Sequence, residues 1–159
     1  MAKIDDEVQT QFPDEFTKLW VNLMFTSSWV SAKQVEMFQP FNISPQQYNI
    51  LRILRGNGSW MKVHDIKSRM LDKSPNMTRL VDKLIDKGWV ERKRCDQDRR
   101  VIYIQNTENG LKFIDKISCT INFDEAHPIY SNFTKAEATQ MNELLDRFRE
   151  MQIPPPQTK

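Results

Sequence analysis

The chain has 159 residues, of which 39% are hydrophobic and 28% are charged, and its formal net charge is +2. This length suits one domain with a hydrophobic core, and the composition excludes a disordered or fibrous protein. No apolar stretch approaches the ~18 residues of a membrane span, and the N-terminal residues lack the apolar segment of a signal peptide. Cys95 and Cys119 are too few for a disulfide framework, so we expect a cytoplasmic protein without a membrane partner.

The positive charge is concentrated in the middle of the sequence. Between Trp60 and Gln105 there are 12 lysines and arginines against 7 acidic residues, whereas the rest of the chain has 11 against 14. A basic segment of this kind is typical of a surface that binds a polyanion. A solvated basic surface gives the same composition, so charge alone leaves both interpretations open.

Helical patterns dominate the sequence outside one short β segment. Two capping boxes mark helix starts, because Ser44 is followed by Gln47 and Thr134 by Glu137 at the required spacing. In chain order, the predicted elements are a helix over 13–39, a helix that starts at Pro45 and ends at Gly56 and Gly58, a strand over 60–63, a helix over 64–71, a helix over 75–87, strands over 89–94 and 101–105, a helix over 107–123, and a helix that starts after Thr134 and ends before Pro154.

The helix over 75–87 has one apolar and one polar side. Ser74 is its predicted N-cap, Pro75 lies in its first turn, and Gly88 ends it. Its apolar side consists of Met77, Leu80, Val81, Leu84 and Ile85, and its polar side of Asn76, Thr78, Arg79, Asp82, Lys83 and Asp86. Hydroxyl, amide and guanidinium groups hydrogen-bond DNA base edges and phosphates, so the polar side is a candidate DNA-reading surface.

A strongly charged segment connects the two strands that follow this helix. The segment RKRCDQDRR, residues 92–100, contains five basic and two acidic residues, and the apolar run VIYI follows it. The pattern predicts a β-hairpin with a polar loop. A narrow arm that ends in arginine can reach the minor groove of DNA, whose negative potential attracts a guanidinium. We expect the carboxylate of Asp98 to bind and orient Arg100, because an unpaired acid facing DNA is unfavourable.

Two short helices followed by a charged hairpin predict a winged helix-turn-helix, in which the second helix enters the major groove. We therefore expect a mainly α-helical protein with a small β-hairpin wing. The helices on either side of the winged part, about 13–39 and 107–150, have more apolar surface than one small chain covers, and so predict an α-helical dimerisation region. Two recognition helices in a homodimer then match a pseudopalindromic operator.

The sequence SPNMTRLVDKLIDKGWVERKRCDQDRRVIYIQNTENG, residues 74–110, resembles the MarR family of bacterial winged-helix transcription regulators. The flanking helices match the family layout over almost the whole chain. The resemblance implies a single MarR-like domain over 1–159, a winged part about 42–105, and an obligate homodimer that acts as a repressor. The chain departs from the family at Cys95, where Asp is frequent, and at Asn106, where Leu is usual. We expect the first to alter the flexibility of the wing and the second to affect packing.

The residues and the resemblance together predict the groups that bind DNA and an effector. Arg100 is expected in the minor groove, with Asp98 as its buttress. The predicted DNA-binding residues are Lys73, Ser74, Asn76, Met77, Thr78, Arg79, Lys83, Arg99 and Arg100. The resemblance also implies a small aromatic or lipophilic effector, with Trp20, Phe25, Trp29 and Phe41 as candidate pocket residues. Core packing is the simpler explanation for each of these four aromatic residues.

Three alternatives stay open at this point. A winged-helix module that binds proteins without DNA affinity is one, although Arg99 and Arg100 argue against it. A redox-responsive regulator that uses Cys95 is the second, against which stands a plain exposed thiol. Metal binding by Asp124, Glu125 and His127 is the third, but no cofactor or metal is predicted. The sequence lacks the nucleophile with its base and the glycine-rich phosphate loop of an enzyme.

Overall fold

The computed structural model describes residues 3–73, 76–121 and 128–151. The helices in these residues are α1 (Ile4–Glu7), α2 (Glu15–Phe38), α3 (Pro45–Asn57), α4 (Val63–Arg69), α5 (Met77–Asp86), α6 (Glu108–Ile121), α7 (Pro128–Asn132) and α8 (Lys135–Arg149). The strands are β1 (Met61–Lys62), β2 (Val90–Arg94) and β3 (Ile102–Asn106), and a 3₁₀ turn spans Gln39–Phe41. None of these described helices combines the length and the apolar character needed to cross a lipid bilayer.

The mainly α-helical fold with a small β-hairpin is confirmed. The chain forms two compact units, Met1–Ile117 and Ser118–Lys159. The first unit contains the three-stranded sheet and the helices around it, and the second contains α7 and α8. The sequence did not predict α1, the 3₁₀ turn or α7, because each is only one turn or so long and has little periodicity to read.

One antiparallel sheet contains the three strands in the order β1, β3, β2. The predicted hairpin is present, with Val90 opposite Asn106 at its base and Arg94 opposite Ile102 near its tip. The short strand β1 pairs with the other side of β3, where Met61 lies opposite Ile104. The sequence predicted β1 but not its partner, because the pairing joins residues that are far apart along the chain.

The core of the first unit lies between α3, α5, α6 and the sheet. The helix α3 packs against α4, α5 and β3, and α5 packs also against β2. The most deeply buried large side chains are Ile50, Leu51, Ile66, Met70, Leu84, Ile104, Ile114 and Ile117. Each aliphatic side chain of this size contributes roughly 1.5–3 kcal/mol when it leaves water, so this cluster supplies much of the stability of the unit.

Both predicted capping boxes are confirmed. At the start of α3 the backbone N–H of Gln47 donates to Ser44 Oγ at 3.2 Å, and the N–H of Ser44 donates to Gln47 Oε1 at 3.1 Å. At the start of α8 the N–H of Thr134 donates to the Glu137 carboxylate at 2.8 Å. This backbone hydrogen bond, with that from the Thr134 hydroxyl, lowers the pKa of Glu137. The cap is therefore complete at neutral pH and is lost only as the pH falls through that lowered pKa.

The helix α5 begins two residues later than predicted. Its N-cap is Asn76, whose Oδ1 accepts a hydrogen bond from the backbone N–H of Arg79 at 3.2 Å. Asn and Ser are equally good N-caps, so the sequence alone did not distinguish Asn76 from Ser74. Ser74 and Pro75 lie outside the described residues.

Large apolar side chains cover the surface of α2. Phe38 is the one buried residue of this helix, whose 24 residues are all described. Its exposed large apolar residues are Phe16, Leu19, Trp20, Met24, Phe25, Trp29, Val30 and Val35, with exposed fractions from 37% to 85%. The helix α8 has no buried residue among its described residues, and Met141 and Leu144 lie on its surface. A single chain therefore leaves a large apolar area of these two helices in contact with water.

A tight junction joins the end of α5 to the start of α6. Thr107 Oγ1 donates to the carbonyl oxygen of Gly88 at 2.6 Å, and the N–H of Thr107 donates to that of Trp89 at 3.0 Å. The indole of Trp89 stacks on the ring of Phe113 with 3.8 Å between centroids. At Gly110 the backbones approach so closely that a Cβ atom would overlap the carbonyl oxygen of Trp89. We call these residues the α5–α6 junction.

Asn106, which stands where the MarR pattern has Leu, ties β3 to α3. Its Nδ2 donates to the carbonyl oxygen of Leu51 at 3.0 Å. Its Oδ1 is buried and has no hydrogen-bond partner among the described residues. A buried acceptor without a partner costs about 1–3 kcal/mol, so the unpaired Oδ1 offsets part of the stabilisation from the Nδ2 hydrogen bond.

Replacing Gly110 with Ala tests the α5–α6 junction. We expect Gly110→Ala to destabilise the protein by about 1–3 kcal/mol, because the new Cβ meets backbone that has no room to move. Gly56→Ala is the matched control: Gly56 lies in α3 with open space around it, and Ala there should be neutral or stabilise by up to about 1 kcal/mol. Urea unfolding at one fixed protein concentration measures both. Equal stability of the two variants would show that the close approach is absent in solution.

Candidate nucleic-acid interface

The two sides of α5 are separated as the sequence predicted. Thr78, Arg79 and Lys83 are exposed, whereas Val81 and Leu84 are buried. Met77 is only 7% exposed, so it belongs to the buried side. We therefore remove Met77 from the predicted DNA-binding residues, because its side chain has almost no surface to offer a ligand.

Two polar residues near the start of α5 have partners within the protein. Asn76 is exposed, but its Oδ1 is the N-cap acceptor for Arg79, which leaves the amide nitrogen for a ligand. Lys73 is exposed and its Nζ donates to the carbonyl oxygen of Ser68 near the end of α4 at 2.7 Å. Ser74, the third predicted residue here, is not among the described residues.

The tip of the wing is a tight turn that presents two arginines. Asp98 Oδ1 accepts a hydrogen bond from the backbone N–H of Arg100 at 2.9 Å, and Asp98 O accepts one from the N–H of Val101 at 2.9 Å. The expected pair of Asp98 with the guanidinium is absent from the described contacts. The carboxylate shapes the backbone of the turn instead, as Asp commonly does two residues before its donor. Arg99 and Arg100 are both exposed.

An ion pair that the sequence did not predict links the wing to α5. Arg92 in β2 and Asp82 in α5 lie 2.7 Å apart, with about half of each side chain exposed. Sequence analysis placed Asp82 only on the polar side of its helix, because no local pattern relates it to a residue in the hairpin. The strand β2 packs against α5, and this brings a more distant arginine closer.

A cavity of about 330 Å³ lies between the start of α4, α5 and the wing. Its polar and charged lining consists of Lys62, His64, Thr78, Asp82, Arg92 and Arg100. The cavity thus brings together Thr78 of α5 and Arg100 of the wing, which the sequence predicted as separate contacts. His64 and Arg92 line the cavity, although neither is among the predicted DNA-binding residues. The sequence indicated a role for His64 and Arg92 only through their positions, because His64 follows the predicted strand over 60–63 and Arg92 lies in the predicted hairpin.

Lys83 lies on the opposite flank of α5 from this cavity. It lines a second groove, together with Lys87, the start of α3 and the end of α2. Position on the helix explains the separation, because residues 78 and 82 share one side while residues 83 and 87 share another. Lys83 and Thr78 therefore do not belong to one compact cluster.

The predicted effector residues are partly exposed aromatics. Trp20, Phe25 and Trp29 of α2 are 42%, 37% and 55% exposed, and Phe41 in the 3₁₀ turn is half-buried. Neither of the two cavities described above is lined by any of these four residues. The effector pocket therefore stays a prediction.

The cysteines and the predicted metal ligands add no site to the described structure. Cys95 is half-buried and Cys119 is exposed, and both are free thiols. Asp124, Glu125 and His127 lie outside the described residues. In the described ranges, no three His, Cys, Asp or Glu side chains are grouped as metal ligands. Redox sensing by Cys95 stays a prediction.

Comparison with known proteins identifies the family. The sequence profile of the MarR family matches residues 43–102, which contain α3, α4, α5 and most of the wing. A MarR transcription factor from Planctomyces limnophilus, of known crystal structure, is 30% identical to this chain. The superposition covers 88% of this chain and 98% of that protein, with a TM-score of 0.64. The chain belongs to the MarR family.

Other regulators resemble this chain in fold or in sequence. A cysteine-to-serine mutant of MarR from Escherichia coli, crystallised with operator DNA, superposes with a TM-score of 0.72 at 20% identity, covering 87% of this chain and 99% of that one. The transcriptional repressor MprA of Escherichia coli is 32% identical over 81 residues, which are 48% of this chain and 46% of MprA. The chain spans 46% to 68% of the lengths of four curated regulators that it matches.

A double-mutant cycle on Arg92 and Asp82 tests the ion pair between the wing and α5. We expect Arg92→Gln and Asp82→Asn to show a coupling energy of about 0.2–1 kcal/mol, because the pair is half-exposed and water screens it. Urea unfolding at low ionic strength measures the coupling, and the same cycle at 1 M salt should reduce it. Strict additivity of the two substitutions at low salt would mean that the pair does not form in solution.

Proposed function

We propose that this MarR-family protein is a DNA-binding transcriptional repressor. The observation that carries the proposal is the common cavity lined by Thr78 of α5 and Arg100 of the wing. A recognition helix that reads base edges and a wing that reaches the adjacent minor groove must lie on one face, and this cavity supports that placement. The related MarR of Escherichia coli was crystallised with operator DNA, which supports the same choice of partner.

The charges on this face favour a polyanion. Lys62, Arg92 and Arg100 supply three positive charges around the cavity, against one negative charge from Asp82. Asp82 is already paired with Arg92, so it repels a phosphate less than an isolated carboxylate would. Basic groups that contact phosphates provide affinity, whereas Thr78 and Arg79 on the exposed side of α5 are placed to provide base preference.

The DNA-binding residues that we propose are those left exposed by the fold. They are Lys73, Asn76, Thr78, Arg79, Arg99 and Arg100. Ser74 remains a prediction from the sequence, and Asp98 acts on the backbone of the wing turn that carries Arg100. Lys83 is left out of this set because it lines the separate groove on the other flank of α5.

We infer that the functional form is a homodimer. The exposed apolar surface of α2 and of α8 supports this, because a helix with one buried residue in 24 gains little from packing within its own chain. A twofold dimer of this kind presents two copies of α5 to DNA, and therefore matches a pseudopalindromic operator in the bacterial cytoplasm.

Repression and its relief follow from the same arrangement. A relative of this chain is named as the transcriptional repressor MprA, and this supports a repressor rather than an activator. A small aromatic or lipophilic effector that binds beside Trp20, Phe25, Trp29 and Phe41 would change the spacing of the two recognition helices. It can do so only through a difference in its affinity for the two spacings.

Arg100→Ala tests the wing contact. We expect the variant to bind duplex DNA about tenfold more weakly or worse, while it remains folded because the side chain is exposed. Arg52→Ala removes the same charge from the exposed surface of α3, at a residue that lines neither cavity, and serves as the control. Fluorescence anisotropy with the protein's own upstream DNA, at two salt concentrations, measures both. Wild-type affinity in Arg100→Ala would contradict a role for the wing.

Thr78→Ala tests base reading by α5. We expect it to relax sequence preference at one position, at a cost of about 1–3 kcal/mol for the operator and little change for random duplexes. The measurement is the ratio of affinities for operator and random DNA. A uniform loss of affinity on both duplexes would assign Thr78 to a phosphate instead of a base.

A further inference from the structure

A groove with a volume of about 590 Å³ lies on the flank of α5 away from the wing. Its apolar part is formed by Val35, Ile43 and Pro45. Its polar part includes Lys83, Asp86 and Lys87 of α5, with Gln46 and Gln47 from the first turn of α3. We call it the Lys83–Lys87 groove. Every residue named here lies in the first compact unit.

The two lysines of this groove lack an ion-pair partner. No carboxylate lies within salt-bridge distance of Lys83 or Lys87 in the part of the chain that is described, although Asp86 also lines the groove. Lys87 Nζ donates to the carbonyl oxygen of Asn42 and lies 4.7 Å from the ring centroid of Trp89. Burial, followed by the nearby charge of Lys83, lowers the pKa of Lys87. The groove therefore holds two positive charges that an anion would stabilise.

The start of α3 adds hydrogen-bond donors to the same groove. Gln46 is the second residue of α3, so its N–H has no acceptor within the helix, and the positive end of the helix dipole lies there. Gln47 is a buried polar residue, 5% exposed, which lines the groove. Its Oε1 is occupied by the N–H of Ser44, whereas its Nε2 has no acceptor among the described residues. In a side chain that is otherwise almost fully buried, this amide nitrogen is left free to donate to an acceptor supplied from outside.

We propose that the Lys83–Lys87 groove binds a phosphate group. Lysine ammonium groups, a side-chain amide and the N-terminal end of a helix are donors that phosphate oxygens accept from, and phosphate needs several donors at once. The apolar residues Val35, Ile43 and Pro45 are placed to contact the organic part of a phosphate ester. Two sources supply this chemistry: a free phosphorylated small molecule, or a backbone phosphate of bound DNA. Only the second source rests on the proposed DNA binding.

Gln47→Glu is the sharpest variant for this site. Glu at this position completes the same capping box and is favoured at a helix start, so α3 keeps its N-terminal structure. The substitution replaces the Nε2 donor with a negative charge that faces the incoming anion. Gln11→Glu adds the same charge at an exposed position between α1 and α2, away from both grooves, and is the control.

The first measurement is a titration of the uniformly ¹⁵N-labelled full-length chain with inorganic phosphate, compared with chloride at the same ionic strength. We expect saturable shifts of the side-chain amide of Gln47 and of the backbone amides of Gln46 and Gln47. Affinity should fall about tenfold or more in Gln47→Glu and remain unchanged in Gln11→Glu. Shifts that do not saturate, that lie elsewhere, or that persist in Gln47→Glu would overturn the proposal.

A second measurement distinguishes the two sources once phosphate binding is established. Lys83→Gln removes a charge that has no protein partner, so it leaves the fold intact. If the phosphate belongs to DNA, the variant lowers the dependence of DNA affinity on salt by about one phosphate contact, and inorganic phosphate competes with DNA. If it belongs to a free ester, the salt dependence is that of the wild type. A protein without DNA affinity would contradict the proposed function alone, because the phosphate titration needs no DNA.

Discussion

Burial of one side of α5 against α3 and β2 determines where every group on its other side points. Met77, Val81 and Leu84 are withdrawn from water, and their combined contribution far exceeds that of any exposed polar contact in this region. Because an α-helix of ten residues is rigid, the buried side chains fix its orientation. The position of Thr78 on the exposed side therefore depends on those buried side chains and not on contacts of Thr78. The α5–α6 junction fixes the C-terminal end of α5. Thr107 hydrogen-bonds the carbonyl oxygen of Gly88, and the backbone of Gly110 lies in close contact with that of Trp89.

The two flanks of α5 carry similar charge for different reasons. Toward the wing, Arg92 is balanced by Asp82, so this flank combines a stable local pair with additional basic side chains. Toward α3, Lys83 and Lys87 have no such balance within the described structure. The groove on each side of α5 therefore has more basic than acidic lining residues, and this excess of positive charge attracts an approaching anion. Because Arg92 is paired with Asp82, one basic residue on the wing side is already neutralised, whereas Lys83 and Lys87 have no ion pair in the described structure.

The sequence predicted best what depends on neighbours along the chain. The capping boxes at Ser44 and Thr134 consist of residues three apart, and both were confirmed. The start of α5 was predicted two residues early, because Ser74 and Asn76 are both good caps. The pairing of β1 with β3, the ion pair of Arg92 with Asp82, and the hydrogen bond of Asn106 to Leu51 join distant segments, so no local pattern announced them. The sequence correctly predicted that the carboxylate of Asp98 binds Arg100. It assigned the contact to the guanidinium, whereas the structure shows the backbone N–H, because the geometry of the turn determines which group is in reach.

The order of strands in the small sheet has a further consequence for solubility. The sheet has β1 and β2 at its edges, and edges can pair with strands of other molecules and start aggregation. The edge strand β1 has two residues, too few for a stable additional pairing. The edge strand β2 is longer, but four of its five residues, Glu91 to Arg94, are charged and exposed. The same arginines and lysine that suit a wing for nucleic acid thus discourage strand addition, and a variant that neutralised them all would lose protection against self-association as well as charge.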